Sequence, residues 1–83
     1  MEGMKHARED YSRIQDPAGL IPDDEPVFLL RAQDKLAADI VAVYAEAAEA
    51  NGASPELVRL CREQAARMRA WHTKKTPDLP GAT

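Results

Sequence analysis

The sequence predicts a mainly α fold: an antiparallel two-helix hairpin, preceded by a short extended segment of strand-forming residues and a polar N-terminal arm, and associating with copies of itself. Three observations carry that expectation. Apolar residues recur in steps of four and three over 36–50 and again over 57–71, the spacing that lines up one helix face. Between them stand a helix stop, Asn51-Gly52, and a helix start, Ser54-Pro55-Glu56, so close that the two helices must run antiparallel. The first stretch is also apolar over more of its circumference than one partner helix covers, which implies a second contact surface.

The arm comes first, over 1–24. It is polar and without period, and Asp16-Pro17-Ala18-Gly19 and Ile21-Pro22-Asp23-Asp24 read as turns. Tyr11, Ile14, Leu20 and Ile21 are the residues that would pin it to a surface. A single domain follows over 25–75. Its first piece, 26–32, holds the run Pro26-Val27-Phe28-Leu29-Leu30, rich in strand formers and read as extended. A helix that starts at Pro26 is the competing expectation, because proline suits a first helical turn.

The first helix is expected over 34–51 with Asp34 as its N-cap. Leu36, Ile40, Val43, Ala47 and Ala50 form one stripe, and Ala37, Val41, Tyr44 and Ala48 form a second beside it. The second helix is expected over 55–73, capped by Ser54, with Pro55 in its first turn and Glu56 facing the positive end of the helix dipole. Leu57, Cys61, Gln64, Met68 and Trp71 repeat the four-three spacing, flanked by Leu60, Val58 and Ala65, and this face is expected to pack on the first helix. Arg59, Arg62, Arg69 and Thr73 share another face, with Arg67 on the far flank of the apolar stripe. The tail, 76–83, contains Pro77 and Pro80 and cannot continue a helix.

Size and charge narrow the function classes. A chain of 83 residues has room for one domain whose core alone supplies only about 3–5 kcal/mol. One cysteine, Cys61, rules out an intramolecular disulfide, and with two histidines it gives no zinc spacing. The charged start lacks the apolar stretch of a signal peptide and no run has the length of a membrane span, so a cytoplasmic protein without a membrane partner is expected. The net charge of −3 divides unevenly: residues 1–53 hold five Lys/Arg against eleven Asp/Glu, and residues 54–83 hold six against three. An acidic helix against a basic one, within or between subunits, is the natural outcome.

No catalytic pattern emerges. Cys61 and His72 lie eleven residues apart, about 16 Å along one helix, too far for a dyad or a shared metal. Ser54 is explained by capping. Asp23, Asp24 and Glu25 offer carboxylates to a hard cation but nothing else of a calcium loop, so neither metal nor cofactor is expected. Arg31 and Gln33 stand where an apolar run meets a helix start, a place with spare N–H groups suited to an anion; pairing of Arg31 with Glu25 or Asp34 explains it equally well. The basic face ending in Trp71 suits phosphate, but the acidic balance and the lack of a reading motif argue against nucleic acid.

The segment Ile21-Pro22-Asp23-Asp24-Glu25-Pro26-Val27-Phe28-Leu29-Leu30-Arg31-Ala32-Gln33-Asp34-Lys35-Leu36-Ala37, with the ending from Trp71 through Lys75 and Pro77-Asp78-Leu79-Pro80, resembles a set of small bacteriophage and prophage proteins. The resemblance covers residues 16–80 and brings no activity or catalytic residue with it. It implies a phage setting, in which small oligomeric proteins include inhibitors of host defence and sponges for nucleotide signals. The leading expectation is therefore a non-enzymatic homo-oligomer that binds a nucleotide-like anion through Arg31, Gln33, Arg62, Arg69 and Trp71. The alternative is a protein-interaction module that docks on a host protein or serves as a phage accessory component.

Overall fold

The computed structural model describes residues 16–79. The arm as far as residue 15, with Tyr11 and Ile14, and the tail from residue 80 lie outside the described residues. Two compact units are present, one of residues 30–77 and one that holds residues 16–29 and 78–79. The described residues contain two helices, α1 (Ala37–Ala50) and α2 (Pro55–Ala70), and no strand.

In the smaller unit, the Asp16 carboxylate accepts hydrogen bonds from the Leu20 and Ile21 amides at 3.1 and 3.0 Å, while its carbonyl accepts from Gly19. One aspartate thus satisfies three successive donors of a turn. Pro22 closes a second turn by accepting from the Glu25 amide. Residues 26–33 are neither helix nor strand, so the helix that competed for Pro26 does not form.

The larger unit is the expected hairpin. The C-terminus of α1 is closed by a Schellman pair: Ala53 N–H donates to the Ala48 carbonyl and Gly52 N–H to that of Glu49. Gly52 adopts φ 84°, the left-handed region this closure needs. Two residues later Ser54 caps α2, its Oγ accepting from the Leu57 amide at 3.1 Å, with Pro55 in the first turn.

Three local expectations are corrected. Asp34 does not cap the first helix, which begins at Ala37 with Leu36 as its cap residue and no side-chain cap bond. The Asp34 carboxylate instead accepts from the Leu36 amide at 2.8 Å, and its carbonyl accepts from Ala37. The aspartate still satisfies amides ahead of a helix, but in a separate turn that precedes it. The second helix stops at Ala70 rather than 73, because Trp71 turns extended (φ −64°, ψ 129°). From there the chain folds back on the entry to α1. Lys75 N–H donates to the Gln33 carbonyl at 2.7 Å, Lys35 N–H donates to the Lys75 carbonyl at 3.0 Å, and Asp34 and Lys75 form an isolated parallel bridge. The Lys74 ammonium donates to the Ala32 carbonyl at 2.9 Å and the Met68 carbonyl at 2.7 Å. It thereby ties the carbonyl end of α2, where the helix dipole favours a cation, to the start of α1.

The third correction concerns the stripes. The buried core is Ala37, Ala38 and Ala45 of α1 with Val58, Ala65 and Met68 of α2, supported by Leu30, Ala32 and Val41. The helices meet through Ala37, Ala38 and Ala45 of α1, of which only Ala37 belongs to either expected stripe, and through a stripe of α2 one residue out of step with Leu57 and Gln64; Tyr44 of the second stripe is exposed. Leu36, Ile40 and Val43 of the first stripe are each more than half exposed, and Leu57, Leu60 and Trp71 of the α2 face expected to pack on the first helix are 40–50% exposed. The physical reason is that Ala37, Ala38 and Ala45 let the backbones approach closely, and a short connection holds them there. Bulkier side chains at that seam would separate the helices, so they are carried to the side.

Candidate functional site

The five residues expected to bind an anion all fall in the larger unit; of the two described concavities, one holds Arg62 and the other none of them. Arg31 is exposed in the turn before α1, where its carbonyl accepts from the Asp34 amide. Gln33 is half-buried and its carbonyl is taken by Lys75. Arg62 and Arg69 project from α2 and each crosses to an acid on α1: Arg62 to Glu49 at 3.0 Å and Arg69 to Asp39 at 2.7 Å. The hydrogen bond to Glu49, and after it the charge of that carboxylate, raises the Arg62 guanidinium above its ordinary pKa. Trp71, half exposed, is stacked on His72 at 5.0 Å between centroids. The larger described concavity, about 520 Å³, is lined by Arg59, Arg62, Glu49, Glu63, Val58 and Ala66 among others. Of the five, it holds only Arg62, and both of its arginines already face carboxylates, Arg59 through Glu63 at 2.8 Å.

No group of three metal-capable side chains occurs among the described residues, so Asp23, Asp24 and Glu25 do not form a cluster. Cys61 is half-buried beside the core stripe of α2. No described helix is long and apolar enough to cross a membrane.

What the helices do bring together is an apolar side. At about 100° per residue, Leu36, Ile40, Tyr44 and Ala47 lie roughly a third of a turn from the core stripe of α1, with Val43 at the outer edge. Leu57, Leu60 and Gln64 lie about a quarter turn from the core stripe of α2 in the same rotational sense. In an antiparallel pair, the same sense on both helices means the same side of the hairpin. A concavity of about 390 Å³ at the loop end, lined by Tyr44, Ala47 and Leu57 with Asn51, Gly52 and Ala53, joins the two stripes. The opposite side carries the cross-helix ion pairs. One charge belongs to the apolar side: Arg67, which donates to the Gln64 side chain at 3.2 Å and makes no ion pair among the described residues.

The sequence signalled a face too wide for one helix but not which stripe would be outside. The available signal was side-chain size: the seam of α1 is made by alanines, Ala37, Ala38 and Ala45. The Lys74 clasp had no signal, since a lysine near a helix end reads as an ordinary response to the dipole.

Comparison with protein-family models, curated proteins and solved structures gives no match for this chain.

Proposed function

We propose that this chain is a non-enzymatic protein-interaction module that docks through the apolar side of its hairpin. One observation supports the reading: Leu36, Ile40, Val43, Tyr44, Leu57 and Leu60, the bulk of the large apolar side chains of the two helices and their cap, are 40–58% exposed on one contiguous side. Scattered apolar residues on a surface are ordinary, whereas a contiguous patch flanked by polar groups marks a contact surface. In the phage setting that the resemblance implies, the module works in the host cytoplasm, on a host protein or within a phage assembly.

A photo-crosslinking side chain placed at position 60 or, on the opposite side, at position 66 tests this in expressing cells. Protein adducts form from position 60 and not from 66. Adducts from neither position, or equally from both, overturn the reading.

A second reading, sequestration of a nucleotide-like anion, keeps one observation in its favour: the 520 Å³ concavity with Arg59 and Arg62 at its wall. Glu49 and Glu63 compete there for the same guanidiniums, which places it second. Native mass spectrometry with a panel of linear and cyclic nucleotides decides between them, and uptake at integer stoichiometry that is lost in Arg62→Ala would put the anion reading first.

A further inference from the structure

We infer that the occupant of the apolar side is a second copy of this chain, which presents the same side in return. The inference rests on the interaction-module reading and names its partner.

Area is the first support. The six exposed side chains, each about half accessible and each on the order of 200 Å² when free, offer roughly 600 Å² per copy, or about 1,200 Å² for a pair, the lower end of stable specific interfaces. A face two helices wide is matched by another hairpin better than by a single extended segment, which would cover one stripe and leave the other wet.

The core is the second. Its six buried residues include four alanines, and no large side chain is fully buried. The larger apolar groups that would ordinarily stabilise so small a domain are on the side a second copy covers.

Sedimentation equilibrium of the full-length chain over a hundredfold concentration range tests the inference. A two-copy mass is expected at the upper end. Ile40→Glu and Leu60→Glu weaken self-association by about 100-fold or more, and Ala66→Glu on the opposite side leaves it unchanged. Should the Glu variants fail to fold, the crosslinker at position 60 in the otherwise native purified chain supplies the same answer through chain-to-chain adducts absent from position 66. A monomer at every concentration overturns the inference. The position-60 crosslink then identifies the occupant as residues of the chain's own N-terminal arm if it is intramolecular, or as another protein if it forms only in cells. That last outcome leaves the module reading standing.

Discussion

Ser54 and Gly52 do their work through the backbone, and each can be tested alone. Ser54 Oγ accepts from the Leu57 amide, one of the four N–H groups a helix start leaves without an internal partner. Ser54→Ala should therefore cost about 1 kcal/mol in urea unfolding, and Ser54→Asp should recover most of it. Gly52 has nothing within 4 Å of where a Cβ would stand, so Gly52→Ala meets no clash and costs only its positive φ, about 1–2 kcal/mol. Gly52→Asn should cost less, because asparagine tolerates that conformation. Both roles were legible in the sequence, since cap and stop chemistry is local. Asp34 was not: its carboxylate had a choice of amides, and the pairing of its neighbours with Lys75, forty residues away in the chain, decided which turn it served.

Between the helices, side-chain size decides what faces what. Ala45 is fully buried at the seam, and a leucine there has no volume to occupy unless the helices separate. Ala45→Leu should destabilise the hairpin by about 1–3 kcal/mol in denaturant unfolding, although leucine is an excellent helix former. Periodicity located the apolar breadth of α1 but not its seam, because Ala38 and Ala45 lie outside both four-three stripes and which alanines face inward depends on how near the second helix comes. The folded-back segment after α2 poses the converse problem. Its anchor is one lysine with two carbonyl partners that no local pattern foretells. Lys74→Met keeps the aliphatic stem and removes both bonds, so about 1 kcal/mol should be lost after allowance for solvent exposure. Amide exchange at Lys35 and Lys75, the two N–H groups of the bridge, should quicken more than exchange in the middle of either helix.

For the molecule as a whole, the division of apolar residues between a small seam and an open side makes stability a matter of concentration. The hairpin is specified locally by its caps and by the Schellman closure, which is why its topology could be read from sequence. An anion site cannot be read in the same way, because it depends on which charges meet across the fold: Arg62 and Arg69 are engaged with Glu49 and Asp39 of the other helix. If a second copy completes the burial, unfolding converts one dimer into two unfolded chains, and each tenfold rise in protein concentration favours the folded state by about 1.4 kcal/mol of dimer. Thermal melts followed by circular dichroism should then shift upward with concentration for the wild type. Leu60→Glu should melt lower and at a temperature independent of concentration, since it leaves the alanine seam intact and removes only the surface that couples one chain to another. A wild-type midpoint that stays fixed over a hundredfold change in concentration would mean that the seam, the caps and the Lys74 clasp suffice to hold the hairpin, and that the apolar side is kept for a partner the chain does not need in order to fold.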